Sequence, residues 1–163
     1  MVQNQEKAEQ EIRELVDKYS SMIFKICYCI LCNKDDAQDA VQETLLKYLT
    51  KAPEFNSEEH RKAWLIKVSA NIRNNMLMFR LRKETVNIDD MKDIGIAENE
   101  YCAFEHIMTL PAKYKIVMTL YYVEGYSAKE ISEIIEINEA TVRKRLQKGQ
   151  ELLKKELEEE FLA

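Results

Sequence analysis

The chain has 163 residues, a formal net charge of −5, and only three glycines and two prolines. That length suits one medium domain or two small ones. Scarce turn formers beside abundant Leu, Ile, Lys and Glu point to an all-α protein. No N-terminal apolar run has the form of a signal peptide and none is long enough to span a bilayer, so the expectation is a cytoplasmic protein without membrane insertion.

The first helix is expected from about Glu6 to Leu31, where Ile12, Leu15, Tyr19, Met22, Ile23, Ile26 and Ile30 recur at helical spacing. Near its end lie Cys27, Cys29 and Cys32, with the fourth cysteine, Cys102, far away. Cys29 and Cys32 share a helix face while Cys27 points elsewhere, and no second Cys pair or nearby His has zinc-site spacing. Buried free thiols are the expectation, with a metal or redox role as the alternative. No metal or other cofactor is expected.

Asn33 to Asp36 interrupt the pattern and place acids where the macrodipole of a second helix favours them. That helix is expected to run to about Thr50, where Pro53 closes it, with Ala37, Val41, Thr44, Leu45 and Tyr48 facing the core. Asp35, Asp39, Gln42, Glu43 and Leu46 follow helical spacing on another side and form an acidic surface ending in one apolar residue. As a metal or acid–base site it is poor, because the carboxylates lack metal-loop spacing and no His is near. It reads either as a solvated face or as a docking patch for a partner.

The third helix is expected from Ser57, an N-cap followed by Glu58 and Glu59, to about Lys83. Trp64, Leu65, Val68, Ile72, Asn75 and Phe79 fall on one stripe, and Lys62, Arg73 and Arg80 on a line beside it. Ile66, Ala70, Leu77 and Leu81 make a further apolar strip, so the helix should be covered on more than one side. From Glu58 to Lys83 bases dominate, whereas Asp89, Asp90, Asp93, Glu98 and Glu100 follow with Lys92 as the one base among them. Domains are therefore expected at 1–83 and 101–163, joined by an acidic linker at 84–100.

A short helix from about Tyr101 to Met108 is expected next, and Pro111 suits the first turn of its successor. The latter carries Ile116, Val117, Leu120 and Tyr121 and should stop at Gly125. Ser127 and Glu130 then form a capping box, ahead of an apolar face at Ile131, Ile134 and Ile135. Glu136-Ile137-Asn138 is a tight turn with Ile137 buried and Asn138 capping a last helix, whose inner stripe is Val142, Leu146, Gly149 and Leu153. Two helices so joined are a helix-turn-helix. Its second helix presents Thr141, Arg143, Lys144, Arg145, Gln147 and Lys148, the residue types that neutralise phosphates and reach base edges. The simpler alternative is a helical hairpin that these charges merely solubilise.

Three segments resemble a known family. Asp35 to Thr44 looks like the core-binding helix of bacterial sigma factors, Ala63 to Asn71 resembles their promoter-melting helix, and Leu110 to Ser127 with the helix-turn-helix resembles their C-terminal domain. Order, spacing and the short linker are similar to the extracytoplasmic-function (group IV) subclass. The resemblance implies a non-enzyme that binds core RNA polymerase and promoter DNA, with an anti-sigma factor as a further partner. It implies polymerase binding by Asp35, Asp39, Gln42, Glu43 and Leu46. The −10 element would fall to Phe55, Asn56, Arg61, Lys62, Trp64, Arg73 and Arg80, and the −35 element to Thr141, Arg143, Lys144, Arg145 and Lys148. By its angle beside Leu65 and Val68, however, Trp64 reads mostly as core. Glu136 stands where the family usually has Gly, and Gly149 and Gln150 interrupt an Arg-rich run. With Glu136, Glu139 and Glu151 flanking it, the helix-turn-helix is expected to bind DNA weakly by itself. The competing readings are a stand-alone helix-turn-helix regulator with an N-terminal effector or dimerisation domain, and a metalloenzyme using Asp35, Asp39 and Glu43.

Overall fold

The computed structural model describes residues 1–77 and 104–162, with only the backbone for 73–77. The side chains of Arg73 and Asn75, together with Phe79, Arg80, Leu81, Cys102, the linker at 84–100 and the last turns of the third helix, lie outside the described residues. All regular structure among the described residues is helical.

Helix α1 spans Val2–Leu31, starting four residues before the expected Glu6, since its first turns are exposed and carry no apolar pattern. It ends where Cys32 turns into the left-handed region, φ 49°. Asn33 then caps α2, Lys34–Lys51, by accepting a hydrogen bond from the Asp36 amide at 3.0 Å. Ala52 is extended, as a residue before proline must be, and ends α2 ahead of Pro53. Ser57 caps α3, Glu58–Leu77, through its hydroxyl and the His60 amide at 3.1 Å. These three helices pack on one another, with Ile23, Ile26 and Tyr28 of α1, Ala37, Ala40 and Thr44 of α2, and Leu65, Ile66 and Ile72 of α3 buried.

A helical turn at 104–108 precedes α4, Ala112–Met118. Pro111 sits one position earlier than expected, as the N-cap of α4. The chain then makes a π-helical turn at Thr119–Val123, closed by the Glu124 amide donating to the Thr119 carbonyl at 3.1 Å. Of the apolar residues this segment carries, Ile116, Val117 and Leu120 are buried, whereas Tyr121, in the π-helical turn, is 40% exposed. Gly125 takes φ 78° and ends the segment, as expected.

Helix α5, Ala128–Ile135, and α6, Glu139–Leu162, form the helix-turn-helix. Ser127 accepts from the Glu130 amide at 3.2 Å, and its hydroxyl, rather than its backbone amide, meets the Glu130 carboxylate at 3.1 Å. Asn138 caps α6 through the Ala140 amide at 2.8 Å, while Ile137 is half-buried instead of buried. Val142, Leu146 and Gly149 line the inner face of α6. A Cβ on Gly149 would stand 2.8 Å from the Met118 sulfur, so this glycine lets α6 lie close against α4.

The two halves touch. α4 packs on α1 and α5 packs on α3, and the buried side chains of both halves form one continuous apolar cluster. Burial of α3 on two sides follows: Leu65, Ile66, Ser69, Ala70 and Ile72 are all inside.

Candidate nucleic-acid interface

On α2, burial of Asp36, Ala37, Ala40 and Thr44 turns Asp35, Asp39, Gln42, Glu43 and Leu46 outward, and all five are exposed. Leu46 and Leu49 are 60% and 51% exposed, so the patch has two apolar residues at its end where the sequence indicated one. Glu43 is 3.7 Å from Lys47, an exposed i,i+4 pair worth a few tenths of a kcal/mol at most. Among the described residues no three His, Cys, Asp or Glu side chains converge as metal ligands would. The carboxylates of this face are spread along a surface, which suits docking.

The loop between α2 and α3 folds onto an aromatic cluster. The rings of Tyr48 and Phe55 lie nearly parallel, 6.0 Å apart, and Trp64 meets both edge-on at 6.1 and 5.8 Å. His60 packs edge-on against Phe55 at 5.3 Å, and the Arg61 guanidinium stands over the Tyr48 and Phe55 rings. Trp64 is thus half-buried in a wall of rings, between its two sequence readings. Tyr48, expected in the core, and His60 belong to this group as well; only the folded loop brings them to Phe55. An open cavity of about 520 Å³, lined by Tyr48, Phe55 and Arg61 among others, adjoins the cluster. Aromatic faces beside a guanidinium are what an unstacked base and its phosphate require. Asn56 is exposed at the mouth of α3, its amide 3.4 Å from the His60 ring nitrogen.

Glu58 anchors this corner. It accepts from the Tyr19 hydroxyl at 2.5 Å, Lys18 at 2.9 Å and Arg61 at 2.9 Å. The Tyr19 hydrogen bond, then the Lys18 one, holds its carboxyl below the usual range. Burial, then the same carboxylate, pushes the Tyr19 hydroxyl up.

Of the cationic line expected on α3, only the Lys62 side chain lies among the described residues. Its ammonium lies 3.1 Å from Glu124 and 5.4 Å from the centre of the Tyr126 ring. Glu124 uses its other oxygen on Lys25, 3.3 Å away, and the side chains of that second pair are 9% and 7% exposed. A buried carboxylate with two cations is compensated, whereas one stripped of partners would cost several kcal/mol. Burial first, then Glu124, pushes the Tyr126 hydroxyl up to about 12. Farther along α3, Lys67 pairs with Glu136 at 2.6 Å.

Glu136 occupies the helix-turn-helix turn at φ 55°, ψ 47°, the left-handed conformation that costs a non-glycine residue about 1 kcal/mol. Beyond it, Arg143, Lys144 and Lys148 of α6 are exposed, and Thr141 and Arg145 partly so. Arg143 pairs with Glu139 at 2.7 Å and Lys148 lies 3.8 Å from Glu151, which lowers but does not cancel the positive character of this face. Near the far end of α1, Cys27 and Cys29 are buried cysteines outside any disulfide and Cys32 is partly exposed.

A helical body with an outward acidic helix face, an aromatic and cationic corner, and a helix-turn-helix has the make-up of a two-part nucleic-acid-binding protein. Sequence comparison gives the family. Sigma-70 region 2 matches residues 15–85 and Sigma-70 region 4 matches residues 105–153, and together they take up well over half of the chain. The chain belongs to the sigma-70 family and is a sigma factor of the extracytoplasmic-function subclass. It is 28% identical to the ECF RNA polymerase sigma factor SigW of Bacillus subtilis over 93% of this chain and 91% of that protein. It is 26% identical to the ECF RNA polymerase sigma-E factor of Haemophilus influenzae over 77% of each. Its fold is similar to that of the sigma factor RpoE of Bartonella quintana, solved in complex with the anti-sigma factor NepR. The TM-score there is 0.68, at 20% identity, over 91% of this chain and 98% of that one. Sigma factors as a family are not enzymes, and among the described residues no helix is long and apolar enough to cross a membrane.

Proposed function

We propose that this sigma factor docks on core RNA polymerase through the outer face of α2 and reads a promoter in two parts. Asp35, Asp39, Gln42, Glu43 and Leu46, with Leu49, form the docking face, their acidic and apolar side chains suiting a basic partner helix with apolar residues on one side. The loop at Phe55 and Asn56, with Arg61 and Trp64, takes unstacked bases of the −10 element, and Lys62 meets the backbone there once released from Glu124. Thr141, Arg143, Lys144, Arg145 and Lys148 carry α6 into the major groove of the −35 element. The protein works where the polymerase works, in the cytoplasm, and an anti-sigma factor would compete for the same faces.

The observation that carries this reading is the coexistence of an exposed acidic helix face and a capped helix-turn-helix on one small body. A stand-alone regulator has no use for the first. Capturing an unstacked base costs a few kcal/mol, offset by ring contacts and backbone charge. Each element alone is weak, and joining them through polymerase multiplies their effect. Glu43→Arg tests the division of labour: association with core polymerase should fall at least tenfold, while binding of the full-length protein to duplex DNA stays level or tightens. Equal losses in both assays would refute a separate docking face.

A further inference from the structure

Two cysteines at the end of α1 face one strip of α4. The Lys115 ammonium donates a hydrogen bond to the Cys32 sulfur at 3.3 Å, and the Cys29 sulfur lies 3.3 Å from the Thr119 hydroxyl. Lys115 and Thr119 are one helical turn apart, so both sulfurs stand on the same side of α1. The Cys32 amide still donates to the Tyr28 carbonyl at 3.0 Å, which keeps its Cα on the helix. A three-residue helical step sets the Cα atoms of Cys29 and Cys32 about 5 Å apart, within the span of a disulfide. Cys29 is wholly buried, whereas Cys32 is partly exposed and open to a small reagent. Lys115 is the unusual member. It is 7% exposed, and among the described residues its ammonium meets no carboxylate at ion-pair distance. A buried ammonium is costly without a negative partner, and the Cys32 sulfur is the group in contact with it that can become one.

We propose that Cys29 and Cys32 form a reversible redox dithiol that hydrogen peroxide oxidises, with Cys32 attacking, Lys115 as its proton partner and Cys29 resolving. Cys32 and Lys115 share one proton between sulfur and nitrogen, and with the proton on nitrogen the sulfur is the reactive thiolate. It attacks one peroxide oxygen: an S–O bond forms, the O–O bond breaks, and the leaving hydroxide takes a proton from the Lys115 ammonium. Cys32 is then a sulfenic acid, oxidised by two electrons, and the peroxide has been reduced to water. The Cys29 sulfur next attacks that of Cys32. The S–O bond breaks, and the Cys29 proton departs with the hydroxyl as a second water. The product is a Cys29–Cys32 disulfide, which an added dithiol returns to two thiols. Cys27, two residues before Cys29, points to another side of α1 and takes no part.

The test treats the reduced full-length protein with a slight excess of hydrogen peroxide, alkylates the remaining thiols, and follows the tryptic peptide 26–34 by mass spectrometry. That peptide holds Cys27, Cys29 and Cys32. It should lose two hydrogens and keep one alkylated thiol, at Cys27. Cys27→Ser should leave the reaction unchanged, and Cys29→Ser should stop it at a Cys32 sulfenic acid that dimedone captures. Cys32 should react about tenfold faster than free cysteine and lose that advantage in Lys115→Met, a factor equal to one hydrogen bond to a charged group. Cys27 is fully buried, so equally slow alkylation of Cys27 shows that Lys115→Met is folded. If that variant misfolds, dimedone capture in Cys29→Ser, timed against free cysteine, still decides. Cys32 reacting no faster than free cysteine, or equally fast in folded Lys115→Met, overturns the proposal. So does a bridge to Cys27, or a Cys32 sulfenic acid that persists with Cys29 in place.

Discussion

Replacing Gly149 with Ala should change sign according to what stands at position 118. The added Cβ would lie 2.8 Å from the Met118 sulfur and 2.9 Å from its Cγ, where real contacts begin near 3.4 Å. Met118 is fully buried, so its thioether cannot swing into solvent and must repack inside. Overpacking of this kind costs about 1–3 kcal/mol, while alanine gains about 1 kcal/mol over glycine in a helix interior. The net for Gly149→Ala is a loss of about 1 kcal/mol, a melting point lower by roughly 2–4 °C for a chain of this size. Met118→Ala alone should cost about 2–5 kcal/mol by leaving a cavity. In that background the clash is gone and the helix term remains, so Gly149→Ala should stabilise by about 1 kcal/mol. Urea denaturation of the four proteins closes the cycle. Stabilisation by Gly149→Ala in the natural background, or the same sign in both, would refute the close approach of α4 and α6 that orients the recognition helix.

Lys144→Ala should weaken duplex binding and flatten its salt slope by about one, as measured by anisotropy across a salt series; an unchanged slope removes Lys144 from the phosphate contacts. Phe55→Ala should reduce affinity of the holoenzyme for a forked promoter with an unpaired −10 strand by about tenfold, in line with ~1–3 kcal/mol per stacked base, and leave fully paired −35 DNA unaffected. The Glu58 carboxyl is held below its ordinary 4.5 by Tyr19 and Lys18, so the folded state favours its ionised form. Its contribution is therefore complete above pH 4.5 and drains away as pH falls below it. Glu58→Gln should flatten the acid limb of a stability–pH curve, modestly, because the side chain is half exposed. Tyr126 works at the other end: its raised hydroxyl favours the neutral folded form, so stability is complete below pH 10 and falls as pH rises toward 12. Tyr126→Phe should remove one late-ionising tyrosine from an ultraviolet titration.

Much of the fold was legible because its signals are local. Ser127 with Glu130, Asn138 before α6, Asn33 before α2 and Gly125 at φ 78° each announce a helix end within a few residues. The exposed face of α2 is legible too, since one periodicity separates its buried from its exposed residues. What escaped depends on contacts between distant residues or on small changes of helical pitch. The outward turn of Tyr121 is not legible, because no residue pattern marks a π-helical turn. Tyr48 and His60 join the aromatic corner only when the loop around Pro53 folds back. The pairing of Lys62 with Glu124 spans 62 residues, and nothing in either segment indicates that the halves pack together.

The central claim is that this chain gives polymerase its promoter choice. Core RNA polymerase, incubated with and without the protein on a fragmented genomic library, followed by sequencing of transcript 5′ ends, tests it most directly. The account predicts discrete start sites that require the protein, share elements at −10 and −35, and disappear with Glu43→Arg. Start sites unchanged by the protein, together with tight sequence-specific DNA binding in the absence of polymerase, would contradict it.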